Sequence, residues 1–392
     1  MLAGLLAGLL DELKLPLCAF AASRLALLCV GLLTQIFITP LVATAPPATI
    51  SSHQVLNIWA RWDAGWYLTL ANNGYQPSPA AGGQANWAFF PAYPTLASLL
   101  SRLTHLPLLP AMLVISNASF LLALVLIHRL ARAEFDRRTA DVAVVLLCAA
   151  PGSYIFSAAY TESLFLAALT GSFLLLRSRR WIAAGAAAGL AALTRNLGVG
   201  LVILFAWDGV GELWTAFRNR RVTAAPVAAC AGSLLRIACG AAIPLLALAG
   251  FCLVLQARTG DPFAFMHIQK AWGRTIGVPF ASPLRGLRWP SGIVEGNLIN
   301  FAASWAALAL VAVLATMRRW RLLLLAVFLT LVPLAAGVGS YARFTLVIVP
   351  LWLAAAKLLS DRPAAVAPTV LILATVNGFM MVAWTLGLGV TM

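Results

Sequence analysis

The chain has 392 residues, of which 62% are hydrophobic and only 10% charged, with a formal net charge of +15. Water-soluble globular proteins carry about 25% charged residues, so this composition excludes a soluble domain and indicates an integral membrane protein. The basic balance does not indicate nucleic acid, because the cations form short clusters between apolar runs, as in the cytoplasmic loops of polytopic proteins.

Arginine supplies nearly all of the 27 cations, the lysines being Lys14, Lys270 and Lys357. The six cysteines and four histidines are scattered without metal-ligand spacing. The opening MLAGLLAGLLDELKLP lacks a basic flank and carries Asp11 and Glu12, which favours an interfacial helix over a signal peptide.

A helix needs about 20 apolar residues to cross the hydrocarbon core. Leu17–Ile38 predicts a first span bounded by Pro16 and Pro40, and Pro107–Ile127 a second. HRLARAEFDRRTAD follows with Arg129, Arg132, Arg137 and Arg138, the strongest cytoplasmic signal in the chain. Residues 41–106 then lie outside. Val142–Leu176 is too long for one span, and arginines flank both its ends. It reads as a short hairpin, with its outer tip between Pro151-Gly152 and YTES at 160–163. Ile182–Asp208 reads the same way. A hairpin there places Arg195 near the outer face and keeps RNRR (218–221) inside.

Residues 237–257 cross outward, 258–297 form a second large outer loop, and Leu298–Thr316 returns. Leu322–Val338 crosses out to GVGSYARF, Thr345–Leu359 returns, and a last span follows. The expectation is a single all-α transmembrane domain over residues 1–392, with about eleven spans and a site built from the outer loops.

With this topology only Asp63, Glu162, Asp261 and Glu295 among the acidic residues lie outside. Asp63 sits in RWDAGWYLTLANNGY among Trp59, Trp62, Trp66 and Tyr67. On a helix over 55–71, it would share a face with Trp59 and Trp66, opposite Arg61. A carboxylate held among indoles at a membrane surface suggests a placed base rather than a solvated charge. ANWAFFPAYPTLASLL (85–100) reads either as an interfacial aromatic belt or as a substrate-facing segment. Glu162 falls at a helix start, where a carboxylate suits the macrodipole in any case.

Arg195, Lys270, Arg274 and Arg343 are the outer cations in apolar or aromatic surroundings. A cation near lipid depth is costly unless paired, and so few outer acids suggest an anion from outside the chain. A lipid phosphate fits, since guanidinium binds it bidentately. Ordinary phospholipid head groups would serve as well.

RWDAGWYLTLANNGY, FFPAYP, YTESLF, LTRNLG, HIQKAWG and YARFTLVIVP, in that order from Arg61 to Pro350, resemble the PIG-V-like mannosyltransferases. These belong to the GT-C glycosyltransferases. The resemblance implies a polytopic, GT-C-like enzyme that takes a sugar, mannose, from a polyprenyl-phosphate carrier at the extracytoplasmic face. It places the essential acid of the first outer loop at Asp63. Many GT-C enzymes carry paired acids in that loop; here the neighbour is Trp62, so an acid-pair metal site is not implied. No cofactor is expected, and dependence on a divalent cation is left open.

On this reading Asp63 accepts the acceptor hydroxyl's proton while polyprenyl phosphate leaves, with inversion. Arg343, Lys270 and Arg195 are the candidate phosphate ligands. Trp62, Trp66, Tyr67, Glu162 and Trp272 are candidate substrate contacts. The partners implied are the lipid-linked donor, membrane lipids and a lipid, glycan or protein acceptor, at an outward-facing site in a bacterial cytoplasmic membrane. The rivals are a secondary transporter or flippase of an anionic or lipid-linked substrate, a subunit that merely docks such a substrate, and a lipid-linked oligosaccharide ligase. Ionisable residues gathered at one face favour the enzyme over a transporter, which places them at mid-membrane.

Overall fold

In hydrocarbon, a backbone must satisfy its own hydrogen bonds, which leaves a long apolar segment little choice but helix. The computed structural model describes residues 2–39, 49–219, 225–274, 276–288 and 298–388, and every regular element among them is a helix. Six helices are long and apolar enough to cross a membrane: Glu12–Ile38, Leu108–Glu134, Asn196–Arg218, Cys230–Thr259, Leu298–Thr316 and Pro363–Thr385. Shorter apolar helices occupy Trp181–Thr194, Trp320–Ala335 and Val349–Ser360. The chain is a multi-pass integral membrane protein.

The Leu108–Glu134 helix shows how a span divides its faces. Leu109, Met112, Ser116, Phe120, Ala123, Ile127 and Leu130 recur every three or four residues and are buried. Val114 and Leu122 point away from that stripe and are exposed. Elsewhere small residues allow close approach. A Cβ on Gly185 would stand 2.3 Å from the carbonyl oxygen of Gly240, so Trp181–Thr194 packs backbone-close on Ala225–Thr259.

Several expected boundaries move. Pro16 does not end a segment, because one helix runs through it from Leu2 to Leu33. Thr345 belongs to a short helix, Tyr341–Thr345, and the next span begins only at Val349, where Pro350 suits the first turn. The predicted helix over 55–71 is broken. Gln54–Asn57 and Ala64–Asn73 are helical, and Trp62 between them has φ of +52°. Glu295 lies outside the described residues, as does part of each large loop.

The chain breaks where the two hairpins were expected, into Arg137–Ala149 and Glu162–Arg177, then Trp181–Thr194 and Val202–Asn219. Gly152 makes the first break at φ +89°, a conformation open to glycine. The halves do not pack chiefly on each other. Arg137–Ala149 lies against Val349–Ser360 and Leu108–Glu134, while Glu162–Arg177 lies against Leu108–Glu134 and Trp181–Thr194. Glu162–Arg177 has charged residues at both ends. Arg177 bonds Glu134 at one, and Glu162 joins a second cluster about 22 Å away at about 1.5 Å rise per residue.

Candidate active site

Asp63 occupies the N-cap position of Ala64–Asn73, yet its side chain accepts no capping hydrogen bond. An Asp there ordinarily accepts from the first free N–H groups. Its carboxylate instead turns to Arg343, with Oδ2 2.7 Å from Nη1. The turn through Trp62 makes this possible: a left-handed non-glycine residue costs about 1–3 kcal/mol and breaks the helical phase just before Asp63. Arg61, also buried, donates to the carbonyl of Thr385 at 3.3 Å and is not the ion-pair partner of Asp63.

YTES supplies the second wall. The Tyr160 hydroxyl accepts from the Asp63 N–H at 3.0 Å and donates to the Arg61 carbonyl at 3.0 Å, tying this turn across the left-handed residue. Burial, reinforced by the charge of Asp63, pushes that hydroxyl well above the ordinary tyrosine value, so it stays a donor. The Thr161 hydroxyl bonds Tyr67 at 3.2 Å and Arg195 at 3.4 Å. Glu162, 1% exposed, lies 2.5 Å from Arg195 and 3.4 Å from Arg343. Its Oε2 has no hydrogen-bond partner among the described residues.

Arg195 comes from LTRNLG, just after Trp181–Thr194. A Cβ on Gly198 would sit 2.3 Å from the backbone of Ala191, so glycine lets the chain fold back onto the helix end and hold Arg195 there. Arg343 lies in Tyr341–Thr345 and is 8% exposed at its side chain. Burial pulls its guanidinium down, but the charges of Asp63 and Glu162 outweigh it and hold it above its ordinary value. Asp63, at 24%, is the more open of the two carboxylates.

Two of the expected anion-seeking cations therefore have internal partners. Few outer acids are available, yet two of them, Glu162 and Asp63, distant in sequence, meet Arg195 and Arg343. Lys270 is exposed, with no hydrogen bond or ion pair among the described residues, and does not join the cluster. Arg274 does. Gly273, at φ +68°, turns the chain so that the Arg274 N–H bonds the Gln269 carbonyl at 3.2 Å. Its guanidinium donates to Ser340 Oγ at 3.2 Å and to Gln269 Oε1 at 3.5 Å. Burial, then the like charge of Arg343, pushes it down to about 10.

Of the expected aromatic contacts, Trp66 and Trp272 come together at 6.0 Å, with Phe89 about equally near both. Tyr67 is buried edge-on against Phe89, Tyr93 and Tyr160. Trp62 is 49% exposed. Asp261 lies outside the cluster, paired with His267 at 2.6 Å. Among the described residues no three His, Cys, Asp or Glu side chains converge.

The arrangement is a half-open carboxylate, a closed one and three guanidiniums, beside an aromatic wall. Chemically it offers a proton acceptor next to an anion receptor. The signature of the family described as mannosyltransferase (PIG-V) matches residues 25–250, the stretch carrying Asp63, Glu162 and Arg195. GPI mannosyltransferase 2 of Schizosaccharomyces pombe is 27% identical over 168 residues, 42% of this chain. The match spans only 35% of that relative's length. ArnT from Cupriavidus metallidurans, in a structure bound to undecaprenyl phosphate, is 16% identical with a TM-score of 0.51, covering 95% of this chain and 76% of that one. The archaeal oligosaccharyltransferase AglB from Archaeoglobus fulgidus, in a complex with an inhibitory peptide and a dolichol-phosphate, is 13% identical with a TM-score of 0.45, covering 94% and 56%. The match to ArnT shows that the helices share a GT-C-like fold, and with more than half of its length matched by the family signature, the chain belongs to the PIG-V mannosyltransferase family.

Proposed function

We propose that this protein is a mannosyltransferase that moves mannose from a polyprenyl-phosphate carrier to an acceptor hydroxyl, inverting the anomeric configuration, at the outer face of a cytoplasmic membrane. The observation that carries the reading is the contrast between the two carboxylates: Asp63 is partly open, whereas Glu162 is closed between arginines. Only Asp63 can meet an incoming hydroxyl without dismantling the cluster.

Asp63 accepts the hydroxyl proton as that oxygen attacks the anomeric carbon. The C–O bond to phosphate breaks, and the electron pair leaves with polyprenyl phosphate. Arg343, Arg195 and Arg274 stabilise the charge growing on the leaving oxygen, and Trp66 and Trp272 flank the sugar or prenyl chain. We count about eleven crossings by including Arg137–Ala149 and Glu162–Arg177 as short spans. That count sets the arginine-rich turns on the cytoplasmic side and Asp63 opposite them.

The test is transfer of labelled mannose from polyprenyl-phosphate-mannose by the reconstituted protein, with host lipid extract as acceptor. Label in a new lipid, glycan or protein product, formed when donor and acceptor are supplied at the Asp63 face, supports the reading. No transfer to any acceptor under conditions that bind the donor would overturn it.

A further inference from the structure

Arg195, Arg274 and Arg343 reach the cluster from three distant parts of the chain, and all three meet one ring. Their guanidinium carbons lie 5.2, 5.6 and 5.7 Å from the centroid of Phe344. These distances fall inside the roughly 6 Å reach of a cation–π contact. The three charges do not have equal support. Arg195 and Arg343 each have a carboxylate, whereas Arg274 has the neutral Ser340 and Gln269 side chains and the ring.

We propose that Phe344 is a positioning residue that gathers the three guanidiniums into one anion receptor and so sets its affinity for the donor's phosphate. The proposal rests on the donor-phosphate reading above. Its physical basis is a difference between two ways of holding a cation. A carboxylate at this position would hold the arginines but cancel their field and compete with the incoming phosphate. A ring attracts cations through its quadrupole without formal charge. It also leaves their N–H groups available to phosphate oxygens. Sequence position helps: Phe344 follows Arg343 in Tyr341–Thr345, and Ser340 at the start of that turn holds Arg274. One short element thus presents Arg343, the ring and the hydroxyl together.

The test uses the full-length protein in detergent, with Phe344 replaced in turn by mono-, di- and trifluorophenylalanine, which keep its shape while draining the ring's negative face. Equilibrium binding of a radiolabelled polyprenyl phosphate is the readout. Affinity should fall stepwise with fluorination, roughly tenfold over the series. F344Y should bind within about twofold of wild type, and F344L should raise the donor KM more than it lowers kcat. A merely space-filling Phe344 gives no graded series. Tight wild-type binding with a flat fluorination series would overturn the role of Phe344 alone. Absence of binding by wild type would remove the donor-phosphate reading and this proposal with it.

Discussion

Glu162→Gln perturbs the charge balance of the cluster while keeping its volume. Two carboxylates now face the three guanidiniums of Arg195, Arg274 and Arg343; the variant leaves one. The Arg195 and Arg343 side chains are 13% and 8% exposed, so water can recover little of the loss. Removing one partner of a buried ion pair costs about 3–5 kcal/mol, and Gln, still an acceptor, should fall near the lower end. The 2.5 Å contact predicts that Arg195 carries much of this. In a double-mutant cycle, E162Q with R195Q should cost less than the sum of the single changes, by about 1–3 kcal/mol. Reversible unfolding in mixed micelles, titrated with a denaturing detergent, supplies the four stabilities. Additivity within about 0.5 kcal/mol would show that Glu162 and Arg195 are not directly coupled and would refute the charge accounting.

Tyr160→Phe removes the hydroxyl that bridges the Asp63 N–H and the Arg61 carbonyl. It should cost about 1–3 kcal/mol and lower kcat, measured by the same unfolding titration and by initial rates. Gly198→Ala forces a Cβ into the backbone of Ala191. It should destabilise by about 1–3 kcal/mol, read as a lower melting temperature in detergent. Trp62→Gly places a permissive residue at φ +52°. Stability should hold or rise, while any fall in kcat would report a substrate contact of the exposed indole. Arg274→Gln should raise the donor KM severalfold, whereas Lys270→Gln, outside the cluster, should not.

Asp63 was legible in the sequence because acids are scarce and this one sits among aromatic residues. Its partner was not. Arg343 lies 280 positions away, and no local pattern announces a contact at that separation. An unbroken helix over 55–71 puts Asp63 on one face with Trp59, but the left-handed Trp62 interrupts the helix and resets the phase. Lys270 and Arg274 look equivalent in HIQKAWGR. The turn at Gly273 decides between them by folding Arg274 back while Lys270 stays exposed. The long spans were readable from length and apolarity. Pro16 misled because a membrane helix can pass through proline where neighbouring groups satisfy the freed carbonyl. Phe344 lies within YARFTLVIVP, but nothing local distinguishes it among 19 phenylalanines; its place beneath the arginines emerges only when distant parts of the chain converge on it.

The most direct test of the central claim compares wild type with Asp63→Asn in a single-turnover transfer assay, with polyprenyl-phosphate binding measured on the same preparations. Loss of a general base should slow transfer about 10²–10⁴-fold. Donor binding should persist or tighten, since Arg343 loses the carboxylate that competes with phosphate. Transfer by the variant within a few-fold of wild type would contradict the account, because the proton would then leave by a route that does not involve Asp63.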